Sequence, residues 1–403
     1  MLEETYVYVH LDAEGWVPAG LLRFEEFGRY SSSVFRYGSK YLKRHDRIAL
    51  DPIQLPLHNK TISTPEGFSV FNGIRDAGPD KWGRYLLDKK FGRALTELEY
   101  IVATGPERVG ALAFSDDPVS GPKIYTPSGF ICQETKALDL AFCAGAVSDI
   151  ESSLNTERLR KYLEYGPSMG GARPKVSIVW NGMPYLAKFS LSLDSRNEPL
   201  IEFATMTLAK KCGLNVPRVE TTEIAGRPIY LIERFDRGAA PIPFISALTI
   251  TGSHESDYSS WSYHALVDAI VKHSSKIEAD LRELFKRMVF NILVYNNDDH
   301  MRNFGFLGRE PDHWDLSPLY DVVPAQVNSQ THSLAMTIGI EGKKASITNA
   351  LSQCERFRLE PRDARALVAQ MKAVVSSWRD HFKAVGIKKS EIRGLENSFT
   401  DKP

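Results

Sequence analysis

The sequence predicts an α+β protein with two or three compact lobes, whose strand-rich first third is followed by a mixed segment and a mostly helical remainder. The first observation is the length of 403 residues, which exceeds what one hydrophobic core usually serves. The second is the apolar pattern, which alternates in short runs early in the chain and follows a helical period after residue 260. We therefore expect domains at 1–150, 151–237 and 238–403.

Composition narrows the functional classes. The chain is 43% hydrophobic and 25% charged, as in globular proteins. Lys plus Arg and Asp plus Glu each total 50, so no global basic field favours non-specific nucleic-acid binding. The four cysteines lack C-x-x-C spacing and indicate buried small residues in a reducing compartment. The acidic start and the lack of a long apolar run predict a cytoplasmic protein that does not enter a membrane.

The first third reads as strands and short helices without a catalytic constellation. Residues 5–11 alternate as a strand, and residues 110–114 form a short apolar run. A helix is expected after Asp80, which has the side chain of an N-cap. Trp82 and Arg84 could form a docking surface, but packing and solvation are the expected roles.

A glycine-rich, basic loop opens the second predicted domain. It carries the candidate phosphate-binding residues Gly170, Gly171, Ala172, Arg173, Pro174 and Lys175. Apolar runs at 176–180 and 185–189 flank Asn181-Gly182, a strong signal for a hairpin. Glycines allow close backbone approach to phosphates, and Lys188 on the second strand could meet their charge. The spacing is not that of a P-loop, and a solvated Lys188 is the alternative.

The next helix and strand carry weaker signals. Glu202 is expected in the first turn of a helix at 201–209. It could pair with the strand lysine, as in kinases, or simply complement the helix dipole. The run at 229–237 ends a strand on charged residues. It contains Glu233, Arg234 and Phe235, at the place in the chain order where a kinase meets adenine through backbone groups.

The most informative stretch is the polar loop 297–303. It follows a predicted apolar helix at 284–295 and precedes a short strand at 304–307. Asp298 and Asn303 have the D-x-x-x-x-N spacing of a kinase catalytic base and its metal-binding Asn. A further aspartate, Asp321, lies eighteen residues after Asn303 and directly follows the short apolar run Leu319-Tyr320. Magnesium prefers oxygen ligands, so Asn303 and Asp321 could hold it while Asp298 orients a hydroxyl. The alternative is that Asp298 and Asp299 are turn residues.

Taken together, these stretches resemble the HipA family of bacterial serine/threonine kinases over essentially the full chain. The matching segments are FNGIRDAGPDKWGR, TGPERVGALAF, SMGGARPK, YLAKFS, CGLNVP, ERFDR, NNDDHMRNFGF and SPLYDVVPA. The resemblance implies a two-lobed protein-kinase-like fold, similar to HipA and phosphoinositide kinases, with an N-terminal β-rich subdomain and an all-α C-terminal lobe. It also implies a toxin of a type II toxin–antitoxin system.

The resemblance implies specific roles and partners. Asp298 and His300 would be catalytic, Asn303 and Asp321 would bind Mg²⁺, and Glu202 would support the site. ATP would be bound by Gly170 to Lys175, Lys188, Glu233, Arg234, Phe235, His300, Asn303, Tyr320 and Asp321. Ser168 would be autophosphorylated. The implied partners are a small helix-turn-helix antitoxin (HipB-like), operator DNA through it, and a substrate such as an aminoacyl-tRNA synthetase.

Two other functional classes compete with this interpretation. The loop Asp298-x-His300-x-x-Asn303 also fits a kinase-fold enzyme acting on a small molecule or lipid. A non-catalytic co-repressor that binds an antitoxin is the other alternative, and the presence of Lys188, Asp298, Asn303 and Asp321 argues against it. The sequence departs from the family pattern at two places. Asp299 adds a second acidic residue beside Asp298, where many relatives have a small residue, and Arg173-Pro174 stiffens the glycine-rich loop. These departures leave the substrate and the ease of loop movement open.

Overall fold

The computed structural model describes residues 2–11, 15–27, 30–105, 107–132, 138–154, 156–165, 173–327 and 332–399. The chain forms two compact units. Unit 1 contains Met1–Leu191, Arg234–His254 and Leu307–Asp312, and unit 2 contains Ser192–Glu233, Glu255–Phe306 and His313–Pro403. The three-domain division at 150 and 237 remains a prediction.

The strands of the described residues are short apart from those at the start of the chain. They are β1 Glu4–Leu11, β2 Gly15–Phe27, β3 Tyr30–Tyr37, β4 Ile62–Ser63, β5 Leu112–Ser115, β6 Ile124–Thr126, β7 Gly129–Ile131, β8 Lys175–Trp180, β9 Met183–Phe189, β10 Val219–Ile224, β11 Arg227–Glu233, β12 Phe244–Ser246, β13 Gly305–Glu310 and β14 His313–Leu316.

The two longest helices of the described residues, with 18 and 15 residues, lie in the C-terminal half of the chain. They are α1 Ser39–Leu42, α2 Asn72–Arg75, α3 Lys81–Phe91, α4 Glu97–Ala103, α5 Leu140–Glu151, α6 Glu157–Tyr165, α7 Glu198–Lys211, α8 Ala247–Thr251, α9 Tyr263–His273, α10 Ile277–Val294, α11 Ile347–Leu351, α12 Pro361–Val375, α13 Trp378–Val385 and α14 Lys389–Gly394. Short 3-10 helices cover Met301–Asn303 and Cys354–Phe357.

Unit 1 is built on a five-stranded antiparallel sheet with the order β4-β3-β2-β1-β5. Alternate side chains of its strands, including Val7, Val9 and Phe35, are fully buried in one core. The alternation at residues 5–11 therefore predicted β1 correctly, and the apolar run at 110–114 predicted β5, which begins at Leu112. Asp80 occupies the N-cap position of α3, but its side chain makes no cap hydrogen bond.

Unit 1 also contains the predicted hairpin of β8 and β9. Asn181 and Gly182 both have positive φ, at 51° and 78°, as a two-residue type I′ turn requires. The register runs from Trp180 opposite Met183 to Lys175 opposite Lys188. The local turn chemistry thus fixes which residues face each other at the far end of the hairpin.

Unit 2 is organised around α10, which is buried on all sides along its C-terminal half. Phe285, Met288 and Val289 are fully buried, and the helix packs against α9, α11 and α12. The apolar pattern therefore predicted the helix before the polar loop correctly. No described helix has the length and apolar character needed to cross a membrane.

Two local predictions for unit 2 are wrong. The alternation of apolar residues at 334–340 predicts a strand, but these residues make isolated bridges instead. The turn that follows this segment is held by the Asn349 side chain, which accepts from Glu341 N and donates to the carbonyls of Gly342 and Lys344. The second wrong prediction concerns the last helix. One long helix is predicted by apolar residues that share a helical face, namely Leu367, Met371, Val374, Val375, Trp378 and Phe382. The structure instead interrupts it between Val375 and Trp378 and forms α12 and α13.

Candidate active site

The polar loop begins with a firmly anchored asparagine. Helix α10 ends at Val294, and its C-cap residue Tyr295 has a left-handed φ of 49° that redirects the chain. Asn296 N then donates to Asn291 O at 2.9 Å, and Asn296 Nδ2 donates to Asn291 Oδ1 at 3.1 Å. Asn296 is 2% exposed. The chain therefore enters the loop from a fixed point.

The two adjacent aspartates of the loop, Asp298 and Asp299, differ in exposure to solvent. The Asp298 side chain is 80% exposed, whereas Asp299 is 1% exposed. Asp299 accepts hydrogen bonds from Tyr263 Oη at 2.7 Å and from Ala335 N at 2.6 Å. Burial raises the pKa of Asp299 to about 7, although the two hydrogen bonds oppose this shift. Asp299 is thus an internal anchor, a role that the sequence analysis missed.

Asn303 and His300 both lie close to Asp298. Asn303 Nδ2 donates to the Asp298 carbonyl at 2.7 Å, so the amide oxygen is the atom of Asn303 able to ligate a cation. His300 Nε2 lies 3.7 Å from Asp298 Oδ1. The other ring nitrogen, Nδ1, is buried without a hydrogen-bond partner among the described residues. The structure therefore brings together the three loop residues that the spacing selected.

Asp321 is carried to the same loop by a well-anchored segment. Ser317 N donates to Gly305 O, and Tyr320 Oη donates to Arg302 O, both at 2.8 Å. Asp321 has a left-handed φ of 57°, which is uncommon for a residue with a side chain. Desolvation raises the pKa of Asp298, His300 lowers it and Asp321 raises it. The carboxylates of Asp298 and Asp321 are therefore close enough to interact.

The donor set suits magnesium. Asn303 and Asp321 offer an amide and a carboxylate oxygen, and Mg²⁺ commonly takes one or two such protein ligands together with phosphate oxygens and water. Within the described ranges, no group of three or more His, Cys, Asp or Glu side chains could enclose a metal ion. An ion at Asn303 and Asp321 would accordingly need ligands from a bound nucleotide.

Glu202 is buried in unit 2, at 5% exposure. Helix α7 begins at Glu198 and is capped by Asn197, whose side chain accepts from Leu200 N. Glu202 lies beyond the first turn, so its predicted place there is wrong and the dipole interpretation is weakened. Burial raises the pKa of Tyr230 well above its usual value, and Glu202 and Asp321 add to the effect. The Glu202 carboxylate is thus close enough to the Tyr230 hydroxyl to affect its pKa.

Unit 1 holds the predicted phosphate-binding cations that the structure describes. Lys175 and Lys188 face each other across β8 and β9 and are 7% and 8% exposed. Phe189 N donates to Pro174 O at 3.1 Å, which continues the hairpin pairing to the residue after Arg173. Ser168, Gly170, Gly171 and Ala172 lie outside the described residues.

Arg234 is a scaffold residue of unit 1. Its guanidinium donates to Asp236 Oδ1 at 3.1 Å and Oδ2 at 2.8 Å, and to Glu107 O at 2.9 Å. Burial alone would raise the pKa of Asp236, but Arg234 and Arg237 lower it to about 2. The Arg234 backbone is also engaged within unit 1, since its N–H donates to Pro184 O at 2.9 Å and its carbonyl accepts from Arg237 N at 3.3 Å. Phe235 packs 6.3 Å from Phe244 between ring centroids, and Glu233 ends β11 in unit 2.

Comparison with known proteins identifies relatives of this chain. The HipA-like C-terminal domain family matches residues 167–378. A protein named putative kinase from Haemophilus influenzae is 28% identical over 208 residues, 44% of this chain and 60% of that protein. The serine/threonine-protein kinase toxin HipA of Shewanella oneidensis is 26% identical over 211 residues, 45% of this chain and 48% of that protein. The matches thus span about half of each relative.

A solved structure extends the similarity to the whole fold. HipA from the Shewanella oneidensis complex of HipA, HipB and operator DNA superposes with a TM-score of 0.68 at 16% sequence identity. The superposition covers 98% of this chain and 95% of that one. The predicted α+β, protein-kinase-like fold is therefore confirmed, and the chain belongs to the HipA-like C-terminal domain family.

Proposed function

We propose that this protein is an ATP- and Mg²⁺-dependent serine/threonine protein kinase. The observation that carries the proposal is the loop in which Asp298 is exposed while Asn303 and Tyr320 hold the surrounding backbone. Such a loop presents one carboxylate to a substrate and keeps two oxygen donors, from Asn303 and Asp321, beside it. Membership of a family with relatives named as kinases supports the same reaction.

In the proposed reaction, Asp298 orients the substrate hydroxyl and accepts its proton. The hydroxyl oxygen forms a bond to the γ-phosphorus, the bond from that phosphorus to the β–γ bridging oxygen breaks, and ADP leaves. Asn303 and Asp321 would hold Mg²⁺, which neutralises phosphate charge when it is bound. His300, 3.7 Å from Asp298, favours the ionised form of the base.

Lys188 and Lys175 are the proposed phosphate contacts of unit 1. Both are cationic side chains in a mostly buried setting, where a charge interacts with phosphate more strongly than it does in water. Glu233 and Phe235, on either side of Arg234, would lie at the adenine. Glu202, in unit 2, would keep the supporting role that the resemblance implies.

The biological role we propose is that of a cytoplasmic, growth-arresting toxin that promotes persistence. Its partner would be a small helix-turn-helix antitoxin, which would connect it to operator DNA. The support is the relative named as a HipA toxin and the structural neighbour solved with HipB and operator DNA. The substrate class that follows from the family is a translation component such as an aminoacyl-tRNA synthetase.

Autophosphorylation at Ser168 is the proposed regulation. The serine precedes Gly170-Gly171 in the sequence, and glycines change backbone conformation at little steric cost. A phosphate there adds about −1.5 to −2 charges, which would oppose ATP phosphates in the same loop. Mass spectrometry after incubation with ATP should find phosphate on Ser168 in the parent and none in Asp298→Asn.

The experiment for the main proposal is incubation of the purified protein with γ-labelled ATP and a cell lysate. We expect label on one or a few proteins, as phosphoserine or phosphothreonine, and none with Asp298→Asn. Label in lipid or small-molecule fractions alone would instead favour the other class of phosphotransferase. Co-purification with the product of a neighbouring helix-turn-helix reading frame tests the antitoxin partner separately.

A further inference from the structure

The exposed Asp298 sits on a short arch between two buried residues. Asn296 on one side is 2% exposed and Asp299 on the other is 1% exposed, whereas the Asp298 side chain is 80% exposed. Asn297 and Asp298 are therefore the part of the chain that projects to solvent. Their position depends on how firmly the two flanking residues are held.

One hydroxyl group joins the two flanking anchors. Tyr263 Oη, from the first residue of α9, donates to Asp299 Oδ2 at 2.7 Å and accepts from Asn291 Nδ2 at 3.0 Å. Asn291 Oδ1 in turn accepts from Asn296 Nδ2 at 3.1 Å. The polar chain Asn296–Asn291–Tyr263–Asp299 thus connects both feet of the arch through buried groups.

A second contact ties Asp299 to the segment after Asp321. Ala335 N donates to Asp299 Oδ1 at 2.6 Å, and Tyr263 N donates to Thr337 O at 3.0 Å. The start of α9, the polar loop and residues 335–337 therefore hold one another at three points. The Tyr263 ring also packs edge-on against Phe304, with 5.7 Å between centroids.

We infer that Asp299 is a positioning residue for phosphoryl transfer, holding the arch so that Asp298 keeps its place beside Asn303. The inference rests on the proposed function. Asp299 faces the core and would not touch the substrate, so it acts through the backbone that it shares with Asp298. Displacing a reacting group by about 1 Å can lower a rate by roughly 100-fold.

Asp280, on α10, is a matched control for the loss of stability that follows when a buried aspartate is removed. Asp280 is also buried, at 8% exposure, and accepts from a hydroxyl, Ser274 Oγ at 2.7 Å, and from a backbone nitrogen, Leu316 N at 2.9 Å. It lies near the first turn of α10, whereas the polar loop follows the last turn. Loss of Asp280 should therefore resemble loss of Asp299 in stability but not in catalysis.

The experiment compares Asp299→Ala, Asp299→Asn, Tyr263→Phe and Asp280→Ala in the full chain, using steady-state transfer of phosphate from ATP and ATP titration. We expect kcat of Asp299→Ala to fall about 100-fold with ATP affinity nearly unchanged. Asp299→Asn retains one acceptor oxygen and should lie between the parent and Asp299→Ala. The kcat of Tyr263→Phe should fall about tenfold. In the double variant, kcat should be little lower than in Asp299→Ala alone, because both substitutions remove the same contact.

Two results would overturn the inference. One is a kcat for Asp299→Ala that falls no further than that of Asp280→Ala. The other, which decides the matter if Asp299→Ala does not fold, is a parental kcat for Tyr263→Phe. Failure of the proposed function would look different: the parent itself would transfer no phosphate, or Asp298→Asn would transfer it at the parental rate.

Discussion

Lys175 and Lys188 lie directly opposite each other on β8 and β9, with 7% and 8% of their surfaces exposed. The strand register thus places two basic side chains on neighbouring strands at the open end of the hairpin. In the proposed function, both would contact the triphosphate of ATP.

We predict that Lys175→Met and Lys188→Met each weaken ATP binding by roughly 10- to 100-fold. A hydrogen bond to a charged group contributes about 1.5–3 kcal/mol, and about 1.4 kcal/mol corresponds to tenfold in affinity. Calorimetric titration with ATP measures the change. Lys161→Met is the control, because Lys161 is 60% exposed on α6 and pairs with Glu157 in its own helix. If the parent and the three variants bound ATP with equal affinity, Lys175 and Lys188 would not be phosphate contacts.

Asp321→Ala should remove most of the magnesium dependence of nucleotide binding. The substitution takes away a carboxylate ligand and leaves the candidate base in place, so ATP should bind the variant similarly with and without Mg²⁺. Asp312→Ala is a matched control, since Asp312 also has a left-handed backbone, at φ 64° against 57° for Asp321. A variant that keeps the parental response to Mg²⁺ would show that Asp321 is structural.

Asp299 should make stability depend on pH. Burial raises its pKa from 3.8 to about 7 in the folded protein, so the unfolded chain releases this proton at lower pH than the folded one does. The stabilising contribution of Asp299 is complete below its unfolded pKa and is lost as pH rises through about 7. The loss is on the order of a few kcal/mol, at about 1.4 kcal/mol per pKa unit.

Urea unfolding of the parent and Asp299→Asn between about pH 5 and about pH 8 tests this. The stability of the variant should improve relative to the parent as pH rises. Asp257→Asn is the control: hydrogen bonds from the Ser259 and Ser260 side chains lower the Asp257 pKa, so this carboxylate stays ionised in both states across that range. Parallel curves for the parent and Asp299→Asn would contradict the prediction.

The features that the sequence predicted well are local. The Asn181-Gly182 turn determines its own hairpin because both residues readily adopt positive φ. Helix α10 follows from the spacing of its apolar residues. The family match bears out the resemblance as a whole, whereas the roles of Asp298, Asn303 and Asp321 remain predictions based on spacing and geometry.

The features that were missed depend on distant partners. The anchoring role of Asp299 could not be predicted, because both of its hydrogen-bond partners, Tyr263 and Ala335, lie 36 residues away in the sequence. The segment 334–340 alternates like a strand but forms only isolated bridges, and the distant Asn349 side chain holds the turn directly after it. The start of α7 could have been found, since Asn197 and Pro199 are typical of a helix beginning.

The most direct test of the account is phosphate transfer by Asp298→Asn at ATP concentrations that saturate both proteins. The amide keeps the size of the side chain but cannot accept the proton of the substrate hydroxyl, so transfer should fall by ~10²–10⁴-fold. ATP affinity should stay close to that of the parent, because Asp298 is not a phosphate contact in this scheme. Near-parental turnover in Asp298→Asn would contradict the central claim that this loop carries the catalytic base.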